Sequence, residues 1–230
     1  MVIVFSSITS CKDRIFNNPF DPDKDERGFE ILSVINIENR YSPTDITFSG
    51  NSLWITPRYS GAISINYNSG AVIRRLEFNN RPVNGIGYDG SDLWLNLKDA
   101  AEVTNVNIVN GEIIKSLKLP EGNYIHLDFH SPNLYIADRQ SNSILSIDPD
   151  SGTILDTIRG PSFTIDGICF DGTSFWILEL STLKIFKIDI NGDIVNTYRS
   201  PTETPSGLCC SDGIIWLGDS TGKILKLRFQ

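Results

Sequence analysis

An aromatic residue returns along this chain at nearly constant intervals. Trp54, Trp94, Tyr135, Trp176 and Trp216 are separated by 40, 41, 41 and 40 positions. The surrounding phrase also returns: DITFSGNSLWI from Asp45, GIGYDGSDLWL from Gly85, HLDFHSPNLYI from His126, GICFDGTSFWI from Gly167 and GLCCSDGIIWL from Gly207. A fixed period constrains a fold more than local propensity does. Each unit must build the same small element and bury its face against its neighbours.

Each unit reads as four short strands. Ile168 and Phe170 alternate in the first, a Gly-containing turn follows, and the second carries the Trp. A longer loop leads to a third strand such as KIFKIDI, and a Gly turn to a fourth such as DIVNTYR. Gly70, Gly111, Gly152 and Gly192 mark that last turn, after Asn66, Asn107, Asp148 and Asp189 as side-chain caps. Alternation at period two with Gly turns specifies antiparallel β-structure, and no stretch sustains a helical period. Four-stranded units of about 40–45 residues specify an all-β propeller, here with five blades. The fifth unit ends at Gln230 after three strands, and ILSVINI from Ile31 supplies the fourth. The N-terminal strand is therefore expected to complete the last blade and close the ring.

The phrase GICFDGTSFWILELSTLKIFKIDINGDIV resembles the NHL-like and YVTN-like propeller repeats of bacteria. The similarity covers roughly residues 30 to 230. It implies the fold and leaves the function open, since such repeats serve binders, scaffolds and a few enzymes. Proteins with such repeats are often labelled streptogramin-lyase-like. That chemistry is not visible here: the chain has 2 histidines, and no repeat carries a catalytic constellation. Five-bladed enzymes include glycosidases and plant-type glutaminyl cyclases, and the cyclase motifs are absent.

Three regions follow. Residues 1–11 hold Ile8-Thr9-Ser10-Cys11, which resembles a bacterial lipobox with Cys11 as the lipidated residue, although the apolar run is short and lacks a basic n-region. An ordinary N-terminus with a stray Cys is the alternative. Residues 12–28 are polar and charged, the composition of a tether. Asp21, Asp23 and Asp25 alternate as in a calcium loop, but Glu26 and Leu32 occupy the positions that need Gly and Glu. Residues 29–230 form the propeller. A net charge of −8 without a basic run excludes nucleic acid and places any membrane contact in the lipid anchor. Cys169 could face Cys210 across a blade interface, but free thiols are the expectation, since inner strands often lie too far apart to bridge.

The turns after the first and third strands are short and uniform, so they read as framework. The opposite face carries variable connections: NNRPVN, LPEGNYI, GPSFTID and SPTETPS. Variable loops on a rigid frame are where binding usually resides. At the channel end on that face stand Asp45, Asn84, Tyr124, His126, Phe163, Asp166 and Ser206, with Asp128 two steps below His126; Tyr59 lies in a neighbouring loop. Asp128 occupies a position filled elsewhere by the small residues Thr47, Gly87, Cys169 and Cys209. Asp138, Glu179 and Asp219, three residues after the aromatic, read as loop caps. His126 and His130 lie at opposite ends of one strand and cannot share an ion. No metal or cofactor is expected.

These features predict a monomeric, non-catalytic propeller, lipid-anchored in the bacterial envelope, that binds a protein, peptide or glycan through its variable face. The alternative is an envelope hydrolase or lyase acting on a small molecule at the channel mouth. His126 with Asp128 or Asp166 would then supply acid and base.

Overall fold

The computed structural model describes residues 26–38, 41–58, 61–78, 81–98, 101–161 and 164–229. Cys11, the acidic triplet from Asp21, Tyr59 and Phe163 lie outside these residues. Five antiparallel four-stranded blades radiate from a common axis. Blade I runs Pro43–Phe48, Leu53–Pro57, Ala62–Ile65 and Val72–Leu76 from axis to rim. Blades II, III and IV repeat this order from inner strands Val83–Tyr88, Tyr124–His130 and Gly167–Phe170. Blade V runs Pro205–Ser211, Ile214–Asp219 and Lys223–Phe229. Its outer strand is Phe29–Asn36, paired antiparallel from Phe29 opposite Phe229 to Asn36 opposite Lys223. The ring closes as the sequence predicts. One addition lies inside the expected tether: Glu26–Arg27 pairs in parallel with Thr197 and Tyr198 at the rim of blade IV.

The repeated phrase has a local cause in the D-G-x-x-h-W segment. Asp171 accepts the Thr173 and Ser174 N–H groups at 2.9 and 2.8 Å, closing the turn, and its other oxygen accepts the Trp176 indole N–H at 2.8 Å. Asp89 does the same for Ser91, Asp92 and Trp94. One carboxylate thus fixes both the turn and the ring two strand positions away. The Asn66 side chain caps its turn in the expected way, accepting from Asn68 and Ser69.

Packing between blades follows a second rule. Trp54, Trp94, Tyr135, Trp176 and Trp216 are all buried. The aromatic near the end of each inner strand packs on the ring of the preceding blade. Phe48 stacks over Trp216 at 5.8 Å, and Phe170 lies 5.0 Å from Tyr135. Tyr88 packs in the cluster of Trp54, and Phe129 in that of Trp94. Blade V has Cys210 in this slot, bonded to Cys169 of blade IV with 5.8 Å between Cα atoms. This corrects the expectation of free thiols: around a five-bladed axis the inner strands come within bridging distance. Cys209 remains free and buried.

Crowding at the axis explains the small residues there. A Cβ on Gly85 would lie 2.7 Å from the Leu127 nitrogen, and one on Gly207 would lie 2.5 Å from the Asp45 Cα.

Candidate functional site

The channel end beneath the variable loops is built from the first residues of the inner strands. Asp45 enters from blade I and is only 1% exposed. Its Oδ2 accepts the N–H of Ile86 on blade II at 3.0 Å and that of Leu127 on blade III at 3.4 Å. An inner strand has no ladder partner on its axial edge, so these donors need an acceptor from elsewhere. Asp45 supplies it across two interfaces. Its Oδ1 stands 3.1 Å from His126 Nδ1, at ion-pair distance but out of hydrogen-bond alignment. His126 sits where the register shifts between Ile125 and Leu127, with φ at +37°. A left-handed backbone at a non-glycine residue is held by its surroundings at some energetic cost. The Ser206 hydroxyl is a third buried polar atom at this end with no hydrogen-bond partner among the described residues.

Asp166 does not provide the carboxylate for His126. Its Oδ1 accepts from Arg139 at 2.5 Å and its Oδ2 from the Leu180 N–H at 2.9 Å. The imidazole thus faces Asp45, while Asp166 is matched by a guanidinium. Asn84 and His126 line one hollow of about 300 Å³ with Thr44, Lys98, Asn123 and Arg139. Tyr124 turns inward instead: it is buried, and its hydroxyl donates to the Pro120 carbonyl at 2.9 Å.

Asp128 lies deeper and repeats the role of Asp45. Its Oδ2 accepts the Phe170 N–H of blade IV at 2.8 Å, and its Oδ1 the adjacent Phe129 N–H at 2.9 Å. Burial pushes its carboxyl up to about 7 against the pull of the Phe170 bond, and the Asp45 charge adds to the rise. Burial, with the Asp128 and Asp45 charges, also raises the Cys209 thiol well above its ordinary value.

The three loop carboxylates behave as caps. Asp138 accepts from the Asn123, Gln140 and Ser141 N–H groups. Burial opposes its ionisation, but these donors and the Ser141 hydroxyl outweigh that and hold its pKa low. Glu179 and Asp219 are filled in the same way by Ser181, Thr182, Thr202 and Thr221.

Sequence reasoning missed the cations of this face. Arg58, Lys98 and Arg139 each stand four residues after the aromatic, in three successive blades, where blades IV and V carry Leu180 and Ser220. All three are exposed. The aligned repeat contained this signal, since a basic position conserved in phase gathers charge on one arc of a ring.

No family model matches the sequence, and no curated protein matches it. Solved structures do. A glutaminyl cyclase of Myxococcus xanthus superimposes with a TM-score of 0.78 at 11% identity, over 89% of this chain and 97% of that one. A streptogramin B lyase gives a TM-score of 0.55 at 17% identity, over 88% and 98%. Virginiamycin B lyase of Staphylococcus aureus gives 0.54 at 21% identity, over 81% of this chain and 66% of that one. At these identities the likeness shows the propeller fold alone.

Proposed function

We propose that the chain is a non-catalytic propeller, anchored in the bacterial envelope through a lipid on Cys11, that binds a protein, peptide or glycan on its variable face. The part of the partner that meets this face is acidic. The observation that carries the reading is the division of charge at the channel mouth. Asp45 is engaged by backbone N–H groups and Asp166 by Arg139, while Arg58 and Lys98 stand exposed to solvent, Lys98 with Glu121 on the same hollow. In a chain of net charge −8, such an arc supports an attraction for an acidic partner.

The test is capture from bacterial envelope extract on immobilised protein, wild type beside Arg58→Glu/Lys98→Glu. Both positions are exposed, so the variant should fold. A partner retained by the wild type and lost by the variant supports the reading. Equal retention by both removes it.

A second reading, an enzyme acting on a small molecule, is favoured by one observation. His126 is held against Asp45 in a strained backbone, which leaves Nε2 as the ring nitrogen available to a ligand. Turnover of any ester, amide or glycoside by the wild type that vanishes in His126→Ala would establish that reading over the first.

A further inference from the structure

A hollow of about 510 Å³ opens on the opposite face, among the uniform turns. It lies between blades IV and V, and the packing rule of this propeller explains why. At the other four interfaces the slot at the end of the inner strand holds Phe48, Tyr88, Phe129 or Phe170, each packed on the preceding blade. At the IV–V interface the slot holds Cys210, whose sulfur is drawn back into the disulfide with Cys169. A whole aromatic ring is missing from the wedge, and the space remains.

The walls retain the chemistry of an aromatic slot. Phe170, Phe229, Ile214 and Ile215 face the hollow, and its floor is Trp176 beneath the Lys187 ammonium, which sits 5.0 Å from the indole centroid. Lys187 is already matched by Asp171 at 3.0 Å. The rim adds His130, Thr173, Ser211 and Asp212, hydrogen-bonding groups without a dominant charge. A volume of several hundred Å³ with apolar walls and a few polar groups at the edge is the usual form of a ligand site.

We propose that this hollow receives an aromatic side chain, Phe or Tyr, presented by a partner polypeptide. The four filled slots show the shape and chemistry that suit this space, for each is filled by a Phe or Tyr ring. The apolar walls accept the ring, and the polar rim meets the peptide groups beside it. Lys187 is neutralised by Asp171 and the one further carboxylate, Asp212, stands at the rim, so the apolar walls suit an uncharged side chain. This site is independent of the variable face and of the acidic partner proposed there.

The test uses the full chain and calorimetric or ligand-observed NMR titration with N-acetyl-tyrosine amide, N-acetyl-phenylalanine amide, N-acetyl-leucine amide, a Tyr-centred pentapeptide and phenol. The two aromatic amides should bind at least about tenfold more tightly than the leucine amide, given the larger ring surface removed from water. The pentapeptide should bind more tightly than phenol. Backbone shifts should centre on Ile214 and Phe229. Cys169→Ala/Cys210→Phe fills the slot from within and should abolish binding. Cys169→Ala/Cys210→Ala removes the same disulfide, leaves the slot open and should retain it. Equal binding of the leucine amide, shifts centred on Lys98 and Arg139, or undiminished binding by the Phe variant would overturn the proposal. Phenol matching the pentapeptide would overturn the polypeptide assignment. Tighter binding by Phe16→Ala/Phe20→Ala would also overturn it, by showing that the chain fills its own slot.

Discussion

Replacing Asp128 by Asn should stabilise the fold, and by more at pH 8 than at pH 5. Two effects compete at this carboxyl. The Phe170 and Phe129 N–H groups favour the anion, while enclosure by the inner strands and the nearby Asp45 charge disfavour it, and the second set prevails, with the pKa at about 7. A carboxyl raised in the folded state gives no penalty below the unfolded value of 3.8, where both states are protonated. The penalty grows as pH rises through the ordinary carboxylate range and is complete above about 7. At about 1.4 kcal/mol per pH unit of displacement, the ionised side chain costs up to about 4 kcal/mol at pH 8. Asn is close in shape to the protonated acid and never ionises. Its amide keeps one acceptor for two backbone donors, a loss of about 1 kcal/mol that the protonated acid shares. At pH 5, already above the unfolded value of 3.8, the variant should be more stable by about 1–2 kcal/mol, and at pH 8 by about 4 kcal/mol. Urea unfolding of both proteins at the two pH values, with equal m-values, measures this directly. A variant less stable than wild type at pH 8 would refute the reasoning, because the carboxylate would then be a net stabilising acceptor with a depressed pKa.

Trp176 is buried against Phe29, Tyr198 and Phe229, so Trp176→Ala should destabilise the fold by about 3–5 kcal/mol in urea titrations. A chain starting at Gly28 loses, among the described residues, only the two-residue strand at the rim of blade IV and should keep a cooperative melt. One starting at Glu38 lacks the outer strand of blade V and should aggregate; similar melting temperatures would contradict the closure. Expressed behind a complete signal peptide, the wild type should incorporate palmitate and enter the detergent phase, and Cys11→Ser should do neither. Equal labelling of the two removes the anchor.

By itself the sequence determined the repeat, the blade count, the burial of the Trp ring and the strand that closes the circle. These are local or periodic properties. Alternation sets which side chains face inward, and an incomplete last unit requires a strand from the other end. The turn caps were legible for the same reason, since Glu179 and Asn66 act within a few residues of their own position. The tertiary structure decided the partners across the axis. Phase places Asp45, His126 and Asp166 near one another but does not say which carboxylate meets the imidazole. That depends on how closely five inner strands crowd together, and the crowding carries Asp45 from blade I to the backbone of blade III. The same closeness converted Cys169 and Cys210 from an open alternative into a bond. The hollow between blades IV and V had a trace in the sequence, a cysteine in an aromatic slot. It became visible only when the four filled slots showed what that position does: a side chain's absence has meaning only against neighbours that tertiary packing brings to its side.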